Sequence, residues 1–172
     1  MTQVSFYRQV DNVSDGKILS ANFKHMSMLK FVGDVRVLMS STLDNYCNEL
    51  YRRGILDAML VDLSETRGID STALGLLAKM AIQLRNRFNV KPTIISTNPD
   101  ITLILRRMSF DLIFNIIDSL PDTTAPYCEL KQEQESEESV REKVLDAHVT
   151  LMALSEQNRL EFQDLVQALK HQ

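Results

Sequence analysis

Residues 59–77 read MLVDLSETRGIDSTALGLL, and this stretch decides the architecture. It opens inside a short, nearly continuous apolar run, Ala58 to Leu63 (AMLVDL). Such a run is the pattern of a strand covered on both faces, as in parallel sheets. A polar segment from Ser64 to Asp70 reads as the loop that follows, and the pattern then turns helical from about Ser71 to Asn89, with Leu74, Leu77, Ala78, Ala81, Ile82 and Leu84 in the apolar positions. Asp70 or Ser71 is a suitable cap for that helix, since a side-chain oxygen there can accept one of its free first-turn N–H groups. Asp62, at the end of the strand, is expected to brace the loop.

On either side of this stretch the same alternation recurs. Lys17 to Phe23 and Met28 to Val32 read as two strands joined by a polar turn at Lys24-His25, with Gly33-Asp34 breaking the second. Ser41 to Arg53 has helical spacing, with Leu43, Cys47, Leu50 and Tyr51 on one side, Ser41 or Thr42 as cap and Gly54 as stop. Pro92 to Ser96 is another buried strand, Pro99 and Asp100 open a third helix, and Leu112 to Ile117 is a last apolar strand. Helices alternating with strands give crossovers long enough for parallel pairing. The expected fold is α/β, a mixed sheet of four or five strands with helices packed on it and a C-terminal helical extension. Val4, Phe6 and Val10 offer one more strand in the N-terminal segment 1–14.

The C-terminal part has a different character. Segment 121–139 carries Glu129, Glu133, Glu135, Glu137 and Glu138 and reads as an acidic linker, either a solvated helix start or a mobile connector. From 140 to 172 an apolar stripe returns through Val144, Ala147, Leu151, Leu154, Phe162, Leu165, Val166 and Leu169. Ser155 either begins a second helix or lies within one long one. A stripe of this kind is normally buried, on its own domain, on another copy or on a partner.

Composition narrows the function. The 172 residues hold 19 Lys plus Arg against 23 Asp plus Glu, a net charge of −4, which disfavours a sequence-independent nucleic-acid binder. The two cysteines, Cys47 and Cys128, form no CxxC pair, and His25, His148 and His171 share no ligand spacing, so neither a metal site nor a cofactor is expected. No P-loop, GxGxxG or GxSxG occurs. Ser71 as a nucleophile needs a base, and no His lies near it in sequence. No apolar run approaches the roughly 20 residues of a membrane span, and no secretory signal is visible, so a cytoplasmic location is expected.

The 59–77 stretch resembles the signature of the STAS domain, above all that of the bacterial anti-sigma-factor antagonists. There, a hydrophobic strand often ending in Asp precedes a loop and Asp-Ser-Ser/Thr-Gly-Leu. Phe31-Val32-Gly33-Asp34-Val35 resembles the family's second strand and turn, while Pro92 to Ser96, Pro99 and Leu105 to Phe110 (LRRMSF) resemble its fourth strand and third helix. Residues 15–120 are covered. This resemblance implies a partner switch rather than an enzyme. Ser71 becomes the phosphorylation target, with Thr72 the fallback, and Asp62, Arg67, Asp70, Ser71, Thr72 and Ala73 the partner-binding positions. An anti-sigma factor, often itself an Mg-ATP-dependent serine kinase, binds the unphosphorylated form, and a PP2C-type phosphatase reverses the modification. The C-terminal helices are a possible contact for a further protein. Ala73 departs from the Gly common in the family.

The physics of Ser71 suits such a switch. Phosphate adds about −1.5 to −2 charge at pH 7. A helix N-terminus tolerates it. Against a like charge about 5 Å away on a partner the cost is about 3 kcal/mol at an effective dielectric of about 20. Asp70 and Asp62 are expected to make the spot acidic already. The competing expectation is a constitutive STAS scaffold, a subunit of a transporter or signalling assembly, in which Ser71 only caps its helix.

Overall fold

The computed structural model describes residues 16–119 and 125–171. Its elements run β1 (Lys17–Phe23), β2 (Met26–Val35), α1 (Ser40–Arg52), β3 (Ala58–Ile69), α2 (Ser71–Phe88), β4 (Thr93–Ile95), α3 (Pro99–Arg107), β5 (Asn115–Ile117), β6 (Cys128–Glu129), α4 (Glu137–Leu154) and α5 (Glu156–Lys170). The sheet order is β5-β4-β3-β2-β1-β6. β1 and β2 form an antiparallel hairpin, and β2, β3, β4 and β5 pair in parallel. The fold is thus the expected mixed α/β sheet with helices and a helical C-terminal extension. The sixth strand, β6, comes from the stretch read as acidic linker and pairs antiparallel with β1. The N-terminal strand sought in Val4, Phe6 and Val10 lies outside the described residues.

Two strands run further than their local sequence suggests. β2 continues through Gly33-Asp34 to Val35. Gly33 adopts φ 79°, a conformation natural to glycine, and the β2–β3 register shifts there without ending the ladder. β3 does not stop at Leu63 either: Ser64 to Ile69, read above as a loop, pairs with the extended β2. Buried Thr66 donates its hydroxyl to the Phe31 carbonyl at 3.1 Å, so a polar residue is satisfied inside the sheet. Each strand supplies the other's partner, and neither extension is visible from one segment alone.

The helices follow local patterns closely. Leu43, Cys47 and Leu50 of α1 and Leu74, Leu77, Ala78, Ala81 and Leu84 of α2 are buried against Leu29, Phe31, Val61 and Leu63 of the sheet. Alternate residues of β2 and β3 thereby face the helices, as a period of two requires. α1 begins one residue before Ser41, after a 3₁₀ turn at Val37–Met39 and with no side-chain cap, which corrects the expected Ser41 or Thr42 cap. The stretch read as a strand from Leu112 is a 3₁₀ turn over Phe110–Leu112 followed by the shorter β5.

The C-terminal stripe forms two helices, not one. Ser136 caps α4 by accepting the Ser139 N–H, and Glu137 and Glu138 occupy the first turn, where the helix dipole favours acids. Ser155, extended at φ −158° and ψ 158°, is the single residue between α4 and α5, and its hydroxyl accepts the Asn158 N–H at 3.3 Å. This hairpin packs back on its own chain. Ala147, Leu151 and Phe162 join the hydrophobic core. The acidic segment before it lies along α1: Thr42 donates to the Lys131 carbonyl at 3.2 Å, Asn45 to Glu133 at 2.5 Å and Ser40 to Glu135 at 3.3 Å.

Candidate functional site

Asp70 is the N-cap of α2, so the cap is Asp70 rather than Ser71. Its Oδ1 accepts the Ala73 N–H at 2.8 Å, and its Oδ2 accepts the Val37 N–H at 2.8 Å. The Asp70 N–H in turn donates to the Val35 carbonyl at 3.0 Å. These bonds hold the end of β3, the end of β2 and the start of α2 together. Ser71 is therefore the first residue of α2, half-buried, with Thr72 and Ala73 buried behind it.

The other residues singled out are placed differently. Thr72 and Ala73 turn into the protein, so the Ala73 methyl is core packing and not an exposed contact. Arg67 is exposed near the end of β3, with its guanidinium 3.7 Å from Asp34. Asp62 is not brought to Ser71. Because β3 runs on to Ile69, Lys30↔Asp62 and Val35↔Ile69 are the corresponding pairs. Five residue steps of β2 at about 3.3 Å each put Asp62 roughly 17 Å along the sheet. Only 1% exposed, Asp62 accepts the Ser64 N–H at 2.8 Å and lies 3.7 Å from the Lys30 ammonium. Glu65, 2.6 Å from Lys30, raises the lysine's pKa against the cost of burial, and Asp62 adds to that effect. Asp62 thus braces the strand and does not add acidity at Ser71.

One residue absent from the sequence-based candidates meets Ser71 directly. His148, on α4 and 77 positions away, places Nε2 2.8 Å from Ser71 Oγ. Its Nδ1 lies 2.7 Å from the Val144 carbonyl. A carbonyl only accepts, so Nδ1 carries the hydrogen, and in the neutral ring Nε2 accepts from the Ser71 hydroxyl. Phe162 of α5 packs edge-on against the imidazole at 5.1 Å between centroids. The signal was present but ambiguous: His148 falls between Val144 and Leu151 on the stripe that must be buried. Serine and histidine in this contact resemble an activated nucleophile, but the ring is only 2% exposed and closed over by α4 and α5. That leaves no approach for a substrate at Nε2.

Comparison with known families adds one decisive observation. The model of the STAS domain matches residues 18–123, more than half of the chain. The chain belongs to the STAS domain family. Solved structures similar to this STAS protein include an anti-sigma factor antagonist from Mycobacterium paratuberculosis, at 16% identity and a TM-score of 0.49 over 61% of this chain and 87% of that one. Another is the STAS domain of an antisigma-factor antagonist from Rhodobacter sphaeroides, at 15% identity and a TM-score of 0.35 over 46% of this chain and 84% of that one. No curated protein matches. The α4–α5 hairpin of this STAS protein lies beyond the matched residues. Among the described residues no helix is long and apolar enough to cross a membrane, and no cluster of three or more His, Cys, Asp or Glu is placed to hold a metal.

Proposed function

We propose that this STAS protein is an anti-sigma-factor antagonist in a partner-switching circuit. It binds an anti-sigma factor or switch kinase while Ser71 is unphosphorylated and lets go when Ser71 carries phosphate. A PP2C-type phosphatase restores the binding form. The protein is then the substrate and ligand of these partners, not an enzyme, and works in the cytoplasm. The observation that carries the reading is the position of Ser71, first in α2 behind the Asp70 cap and in the family's Asp-Ser-Thr setting. A phosphate there sits at the positive end of a helix, so the first turn of α2 tolerates it. A partner with an acidic contact does not, and a loss of 1.4 kcal/mol already weakens binding about tenfold. Asp70 and Arg67 flank the position and supply the polar rim.

The test is a titration of the purified partner, identified by capture on Ser71→Ala bait, with the unmodified protein, Ser71→Ala and Ser71→Asp. Ser71→Ala is expected to bind at least as tightly as the unmodified protein and Ser71→Asp at least about tenfold more weakly than it. Equal affinity of all three removes the switch.

One contact favours a second reading, a constitutive STAS scaffold within a transporter or signalling assembly. The Ser71 hydroxyl is spent on His148. In that case Ser71→Ala costs about 1 kcal/mol of stability through the lost hydrogen bond and leaves partner choice unchanged.

A further inference from the structure

The face of α2 that begins at Ser71 already has an occupant, and it is part of the same chain. Ser71, Gly75 and Lys79 are four residues apart and lie on one side of the helix. Each meets α4. Ser71 donates to His148. A β-carbon on Gly75 would lie 2.3 Å from the Ala147 carbonyl oxygen and 2.6 Å from its Cα, so the two backbones touch only because residue 75 has no side chain. Lys79 closes the row on Asp146 at 2.5 Å.

The geometry points to the α4–α5 hairpin as a cover over Ser71, closed while Ser71 is a free hydroxyl, lifted by the partner or kinase that binds there, and displaced when Ser71 is phosphorylated. This inference rests on the reading of Ser71 as the modified residue. In the closed state the hairpin competes with any partner or kinase for the start of α2, so both act on the open fraction. Apparent affinity falls in proportion to that fraction; phosphorylation enlarges the fraction but ends partner binding through the like-charge repulsion of the phosphate itself.

Phosphorylation makes reclosure unfavourable at one atom. The γ-phosphoryl group of ATP passes to Ser71 Oγ, its bond to ADP breaks and the hydroxyl proton is released. Oγ then has no hydrogen to donate, and phosphate oxygens must occupy a contact that is already at 2.8 Å. In the neutral ring, whose one hydrogen Nδ1 holds on the Val144 carbonyl, the Nε2 facing them is itself an acceptor. A tether for the opening exists in the acidic segment, which stays bonded to α1 through Asn45 and Thr42.

Hydrogen exchange of the full chain tests this without any partner. Three forms are compared: unmodified, phosphoserine installed at position 71 during synthesis, and Gly75→Ala. The added methyl of Gly75→Ala wedges against Ala147, while alanine improves the intrinsic helix propensity of α2. In both altered forms, amides of 144–151 and 158–166 are expected to exchange at least about tenfold faster, with amides of 58–63 in β3 unchanged. Unchanged exchange in α4 of the phosphoserine form overturns the cover. So does slower exchange, the mark of a protonated His148 clasping the phosphate. Should Gly75→Ala also loosen β3, the phosphoserine form alone decides by the same outcomes. The partner titration fails independently: α4 release with equal partner affinities for the Ser71 variants leaves the cover standing and removes only the switch.

Discussion

Asp70 Oδ2 accepts the Val37 N–H at 2.8 Å across 33 positions of sequence. The carboxylate that caps α2 therefore also anchors the chain as it leaves β2 for α1. One side chain serves two backbone donors from different segments, Val37 and Ala73, and both lose their acceptor if it is removed. Asp70→Ala is expected to cost about 2 kcal/mol, the upper end for an N-cap, read as a lower urea midpoint. Asp70→Asn, which keeps one oxygen, recovers part of it.

Asn158 gives a second prediction. Its side chain is wholly buried and its Nδ2 donates to the Leu151 carbonyl at 2.9 Å and the Met108 carbonyl at 3.1 Å. It ties the α4–α5 turn to itself and to the end of α3. Asn158→Leu strands two carbonyls and is expected to cost about 2 kcal/mol. Exchange in α5 should rise more than exchange in β3. Equal increases in both would mean that the hairpin and the sheet unfold as one unit.

The Lys30–Asp62 pair makes a third. Lys30→Met leaves the buried Asp62 carboxylate without its cation, a loss of about 3 kcal/mol in chemical denaturation. Asp62→Asn in the same background is expected to restore much of it by removing the charge. If Asp62 contributed instead to partner contact, Asp62→Asn would alter affinity and leave stability nearly unchanged.

Cysteine chemistry supplies the pH dependence. Burial pushes the Cys47 thiol up from an ordinary 9.0 to about 12, whereas Cys128 is exposed. At pH 8 one thiol is expected to react rapidly with a disulfide reagent and the second only in denaturant. In the unfolded chain Cys47 ionises from about pH 9, but in the fold it stays protonated. Its contribution to stability is complete below pH 9 and is lost as pH rises toward 12. The fall in stability between pH 8 and pH 10 should be smaller in Cys47→Ala by roughly 1 kcal/mol.

Local features could be read directly from the chain. The β1–β2 hairpin, the apolar start of β3, the helices and the carboxylate before α2 all follow from hydrophobic period and capping chemistry, which act over a few residues. The Asp-Ser-Thr setting pointed to the STAS family for the same reason, since a strand, a cap and a first turn are contiguous. Tertiary structure decided the rest. Ser64 to Ile69 is strand because β2 continues beside it, and that continuation carries Asp62 away from Ser71. His148 reaches Ser71 because Gly75 lets two helix backbones meet and the apolar stripe of α4 turns inward. Which helix face meets which is set by the packing of the whole chain, and no local pattern encodes a contact made across 77 residues.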